Sequence, residues 1–222
     1  MGKKTTMWII LVTVFCCGVM ALVDGVAQPS YGIKSVIKIG LFLMVPFVLS
    51  LLDRTVSIRG MFKFRARGMA TALVLGAALY ALILGAYFVA ARFFDFSGIA
   101  RSLSGNLGVD GENFLWVAVY ISFLNSLLEE FFFRGFVFTN LRRSASRPVA
   151  YGFSAAAFAL YHVAMMIGWF PIPVYAVVIV GLSVGGLIFN YLNEKFETLY
   201  VSWFVHVFAS FAINTVGFLL LR

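Results

Sequence analysis

Charge is what this sequence has least of. Lys, Arg, Asp and Glu make up 12% of its 222 residues, whereas a soluble domain carries about 25%. Hydrophobic types reach 62%, against roughly 45–50% in a soluble chain. So little polar surface cannot cover a water-soluble fold of this length, so much of the exterior faces lipid. Cysteine is scarce too. Cys16 and Cys17 are adjacent, which excludes a disulfide framework and any CxxC redox or metal motif; they read as lipid-facing filler. No repeat, low-complexity stretch or soluble domain stands out.

What is present is a series of apolar runs. Seven segments of spanning length fall at about 7–23, 35–52, 69–91, 114–138, 149–169, 174–192 and 199–221. The expected fold class is all-α, a polytopic transmembrane bundle of about seven helices. The net charge of +8 would suggest nucleic acid in a soluble protein. Here the basic residues sit in short connections, which reads as topology signals and lipid-headgroup contacts, and nucleic acid is not an expected partner. Eleven of them (Lys3, Lys4, Arg54, Arg59, Lys63, Arg65, Arg67, Arg142, Arg143, Arg147 and Lys195) occupy alternate loops on one side. Five (Lys34, Lys38, Arg92, Arg101 and Arg222) fall on the other. The positive-inside rule then puts the N-terminus in the cytoplasm and the C-terminus outside. Lys3-Lys4, an apolar run and Gly25-Val26-Ala27 resemble a signal peptide, but the run is long for that purpose and an uncleaved helix is expected. Gly181 and Gly185 form a GxxxG in the sixth segment and suggest close helix packing there.

Most acidic residues lie in loops or at segment ends. Glu129 and Glu130 do not; with Arg134 they sit deep in the fourth segment. Each ionisable group at the bilayer centre costs about 2.5–3.5 kcal/mol on insertion scales, so the default inference is a functional site facing the bundle interior. Glu130 and Arg134 are i,i+4 and share a helix face, so they read as a buried scaffold pair. Glu129 points elsewhere and reads as the carboxylate left free for work. The only two histidines, His162 and His206, also lie inside apolar segments, and His is the commonest proton carrier near neutral pH. By helical rise, His206, Glu129 and His162 lie about 10, 15 and 20 Å from the cytoplasmic ends of their helices, so the three can share one layer between the cytoplasmic side and the midplane. The bland alternative is a static polar cluster that holds helices together.

These residues carry a resemblance. Glu-Glu-x-x-x-Arg, then Phe-x-x-x-His from Phe158 to His162, then a final-helix His, is similar to the CPBP family of type II CAAX prenyl endopeptidases and Abi-type bacteriocin-processing enzymes. The resemblance covers about 114–213. It divides the single membrane domain into N-terminal helices, 1–113, and a catalytic core, 114–222. It implies an intramembrane endopeptidase of a bacterial cytoplasmic membrane, with a peptide or membrane-protein tail as substrate. Glu129 would activate water with help from His162, His206 would stabilise the oxyanion, and Glu130 and Arg134 would support the site. The family's last motif usually reads His-x-x-x-Asn or His-x-x-x-Asp. Here Ser210 stands at that position, with Asn214 one turn further on.

Three other readings compete. A non-catalytic adaptor or bacteriocin-immunity protein is favoured by Ser210. A proton-coupled carrier would use the same residue types, but no inverted repeat is evident. A zinc-dependent protease would use Glu129, Glu130, His162 and His206 as ligands; no HExxH occurs, so no cofactor is expected, with zinc as the alternative.

Overall fold

The computed structural model describes residues 2–58, 60–101 and 114–221. Among these there is no strand, and seven helices are long and apolar enough to cross a membrane. They are α1 (Lys3–Ala27), α2 (Tyr31–Leu52), α3 (Met69–Ala90), α4 (Phe114–Ser144), α5 (Arg147–Met165), α6 (Ile172–Phe196) and α7 (Leu199–Leu221). A short helix, Ser97–Arg101, follows α3. Arg59, Arg222 and most of the 93–112 connection lie outside the described residues. The chain is an integral, multi-pass membrane protein.

Local chemistry explains the boundaries. Prolines enter α5 and α6 in their first turns, where a missing N–H removes nothing from the helix. α1 and α6 end on left-handed residues, Gln28 and Glu197, and the brief turn after α6 makes α7 its antiparallel neighbour. α2 starts earlier than its apolar run, because Lys34 is buried against Asp24 at 3.4 Å and lets the helix begin inside the protein.

The helices are not uniform. Wide π-turns occur at Val23–Ala27 and Gly40–Met44, and in α4 at Tyr120–Asn125 and Phe131–Phe138. The two in α4 flank the segment Ser126–Glu130. Such turns insert an extra residue and re-aim the side chains beside them. The hydroxyl of Thr139 donates to the Arg134 carbonyl at 2.8 Å, helping to satisfy the loosened backbone. All eight residues of Phe131–Phe138 are buried. Phe132 stacks on Phe42 of α2 with ring centroids 4.1 Å apart, so this aromatic run is packing.

Close approaches are made at glycines other than the expected pair. A Cβ on Gly181 or Gly185 would meet nothing within 4 Å, whereas one on Gly186 would lie 3.0 Å from Ala155 Cα of α5. The sixth-segment motif is therefore displaced by one residue from the contact it was expected to make. α3 lies along α7, where a Cβ on Gly76 would collide with the Phe208 ring. Cys16 also departs from its expected lipid-facing place. It is fully buried, and its thiol points to the Leu41 carbonyl at 3.6 Å.

Basic segments gather at one end of the bundle. Thr6 donates to the Ser144 carbonyl at 3.1 Å, Arg65 pairs with Glu197 at 2.8 Å, and Glu194 is gripped by Arg142, Arg147 and Tyr151. Bonds from the Thr55 hydroxyl and amide hold the Asp53 carboxyl below the usual carboxylate range. The connection after α2 folds back under the bundle. Asn140 bonds both backbone groups of Ser57, and Met61 packs with Phe131 and Leu199. The Asp24–Lys34 pair marks the opposite end.

Gly76→Ala should force α3 from α7 and cost about 1–3 kcal/mol, as overpacking does. Gly85→Ala, with nothing within 4 Å of its Cβ, should be neutral or slightly stabilising. Thermal unfolding of the detergent-solubilised variants checks the contrast.

Candidate active site

Five of the six residues singled out from the sequence meet in one buried cluster between α4, α5 and α7. Glu129 and Glu130 follow each other on α4, so their carboxylates diverge. Glu130 turns toward α7 and toward Arg134, one turn further along its own helix. Its Oε1 lies 3.2 Å from Arg134 Nη1 and 3.1 Å from His206 Nδ1, and both Glu130 and Arg134 are fully buried. The Arg134 guanidinium lies between the faces of Phe158 and Phe189, at 4.2 and 4.9 Å, and reaches the Gly186 carbonyl at 3.5 Å. The close approach of Gly186 to Ala155 is what brings that carbonyl inward. Glu130 Oε2 and Arg134 Nε have no hydrogen-bond partner among the described residues, so ring contacts and the ion pair carry this charge.

Both histidines are oriented by partners on their Nδ1 side. His162 Nδ1 lies 2.7 Å from the Phe158 carbonyl one turn back. A carbonyl only accepts, so Nδ1 carries the hydrogen and Nε2 faces away from it. His206 Nδ1 faces the Glu130 carboxylate, which takes the Nδ1 hydrogen and turns Nε2 toward Glu129, and its ring stacks on Phe189 at 5.3 Å. The two Nε2 atoms each stand 3.6 Å from Glu129 Oε2. That separation exceeds a direct hydrogen bond and suits a bridging oxygen.

Glu129 is not the free carboxylate expected from the sequence. Its Oε1 accepts from Lys38 Nζ at 2.6 Å and from Asn125 Nδ2 at 3.0 Å, and Lys38 and Glu129 form a buried ion pair. Counting Lys38 with the outer connections overlooked the length of α2. Lys38 lies seven residues inside that helix, about 10 Å from its end, and its long stem carries the ammonium further. The available signal was its place within the apolar run Val36–Met44, four residues after Lys34 on one helix face.

The sixth residue, Ser210, does not join the cluster. It is half-buried and makes no hydrogen bond with any described residue. Asn214 is occupied elsewhere. Its amide donates to the Ala118 carbonyl and the Ser122 hydroxyl of α4, at 3.2 and 3.0 Å.

Glu129, His162 and His206 are suitable zinc ligand types, but among the described residues no group of three or more His, Cys, Asp or Glu is arranged to hold a metal ion. Moreover, Lys38 already supplies a cation at the Glu129 carboxylate.

Residues 111–212 match the model of a known family, described as Rce1-like: Type II CAAX prenyl endopeptidase Rce1-like. No curated protein and no solved structure matches the chain. The matched segment is similar to that protease family. The match runs from the start of α4 to most of α7 and contains both glutamates, Arg134 and both histidines. Lys38 lies outside it, on α2, yet is bonded to its central carboxylate.

Arg134→Ala should leave Glu130 buried without its cationic partner on α4, at a cost of about 3–5 kcal/mol. Asn214→Ala loses only two neutral hydrogen bonds, roughly 0.5–1.5 kcal/mol each. Chemical denaturation in detergent should place Arg134→Ala well below Asn214→Ala.

Proposed function

We propose that the chain is an intramembrane endopeptidase in which Glu129 activates a water molecule to hydrolyse a peptide bond of a peptide or membrane-protein substrate. The supporting observation is the convergence of Glu129 Oε2, His162 Nε2 and His206 Nε2 on one point, each histidine being tied back through Nδ1. A water there can give one hydrogen to the carboxylate and the other to neutral His162. As its oxygen attacks the carbonyl carbon, its proton passes to Glu129. His206, its Nδ1–H held by Glu130, presents Nε2–H to the oxygen on which negative charge develops. Glu129 then delivers the proton to the departing nitrogen, the C–N bond breaks, and an acid and an amine leave. Glu130 and Arg134 keep His206 in place. This reading needs no metal ion.

The N-terminus and the basic end belong in the cytoplasm on this reading, by the excess of Lys and Arg there. A bacterial cytoplasmic membrane suits the short connections. A non-catalytic adaptor is the second reading, favoured by the absence of any bond from Ser210 to the cluster.

Glu129→Gln preserves size and removes the basic oxygen; it should abolish cleavage in reconstituted vesicles while insertion stays normal. Cleavage by that variant would remove Glu129 as the base. Wild-type activity should also survive a strong chelator. A stoichiometric zinc, lost with activity and restored with it, would replace the mechanism by metal-assisted hydrolysis. Ser210→Asn separates the two readings: cleavage gained only in that variant would make the natural chain an adaptor.

For sidedness, single cysteines at Ser57 and Gln28 can be placed in a chain lacking Cys16 and Cys17. An impermeant thiol reagent on intact cells should label the Gln28 position and spare the Ser57 position. The reverse pattern would invert the topology.

A further inference from the structure

We propose that Lys38 is a positioning residue of the hydrolytic site, which divides the two oxygens of Glu129 between anchoring and reaction. The inference rests on the peptidase reading above. Glu129 Oε1 takes two donors, Lys38 Nζ at 2.6 Å and Asn125 Nδ2 at 3.0 Å. Oε2 accepts no hydrogen bond from a described residue within bonding distance and faces the two histidines at 3.6 Å. One oxygen is held and the other is presented.

The clamp is built to be rigid. Asn125 works in both directions, its Oδ1 accepting from Lys38 at 2.6 Å while its Nδ2 donates to Glu129. Lys38, Asn125 and Glu129 thus close a ring of three hydrogen bonds. The ammonium also lies 4.9 Å from the Tyr161 ring and 5.5 Å from the Phe42 ring, within range of cation–π attraction. Lys38 is 5% exposed, so water does not compete for it.

A neighbouring lysine shows that burial alone is not the role. Lys34, one turn earlier on α2, is buried too, but its partner is Asp24 at 3.4 Å. The two ion pairs share a helix face and differ in what they hold. Lys34 joins α2 to α1. Lys38 fixes the carboxylate that must be ionised and aimed when water is attacked. A carboxylate free to rotate would present either oxygen, and misplacement of a reacting group by about 1 Å can cost 100-fold in rate.

The test compares Lys38→Met, Lys38→Arg and Lys34→Met with wild type and Glu129→Gln in one vesicle-based peptide-cleavage assay. Lys38→Met should lower kcat on the order of 100-fold, while KM stays within about 3-fold, since the clamp acts on the reacting group and not on substrate binding. Lys38→Arg keeps the cation with a different reach and should recover about a tenth of wild-type turnover. Lys34→Met should remain within about 3-fold of wild type in both constants. If Lys38→Met yields too little folded protein, Lys38→Arg alone still gives the reading, as lowered kcat at unchanged KM. The Lys38→Met/Glu129→Gln pair should restore the thermal stability that Lys38→Met alone loses. The assignment is overturned if Lys38→Met keeps kcat within about 3-fold of wild type, or if Lys34→Met loses as much as Lys38→Met. Those outcomes leave the peptidase reading intact. Absence of cleavage by wild type would instead defeat the peptidase reading, and this assignment with it.

Discussion

Charge cannot be left uncompensated in a lipid-bounded interior, and much of this bundle is arranged around that constraint. Lys38, Glu129, Glu130 and Arg134 are all buried to within a few per cent, and their formal charges cancel. Removing one partner of such a group leaves a buried charge without a counterion, at about 3–5 kcal/mol. The helices must therefore sit where the charges meet. α2 has to bring Lys38 to the level of Glu129. α5 and α6 have to bring Phe158 and Phe189 to the two sides of Arg134, and α7 has to bring His206 to Glu130. The wide turns on both sides of Ser126–Glu130 let α4 aim consecutive glutamates at different partners.

The same constraint made much of the site legible in the sequence. Glu129, Glu130 and Arg134 stood out because their cost inside an apolar run is too high for an ornamental role. His162 and His206 stood out because no histidine occurs in a connection. The seven helices followed from run lengths, and the structure extends α4 to Ser144 and trims α5 to Met165. What stayed hidden were features set by three-dimensional contact. Lys38 was indistinguishable from an interfacial lysine until α2 was seen packed against α4. Asn125 carries no charge and gave no signal. Gly186 makes the close approach in place of Gly181 and Gly185, because the rotation of α6 about its axis is fixed by α5 and not by a motif. Cys16 is buried because its face of α1 turns inward, where α1 packs on α5 and the thiol meets the Leu41 carbonyl of α2, an orientation that composition does not encode.

The site is also larger than the protease-family segment. The match begins at residue 111, whereas the ammonium bonded to Glu129 comes from residue 38. The N-terminal helices therefore contribute to the buried cluster as well as to the scaffold. α1 contributes Asp24 for Lys34, and α2 contributes Lys38 and the Phe42 ring stacked on Phe132. The connection after α2 closes the basic end beneath the cluster with Met61. An isolated C-terminal half would expose Glu129 without its cation.

The central claim is that water, held between Glu129 and two histidines, is the attacking group. Single-turnover cleavage in water enriched in ¹⁸O, with enzyme in excess, tests it directly by mass spectrometry of product and enzyme. The account predicts one ¹⁸O in the new carboxyl group of the product and none in the tryptic peptide containing Glu129 and Glu130. Label appearing in that peptide would mean that a glutamate attacks the substrate itself, which would contradict the account.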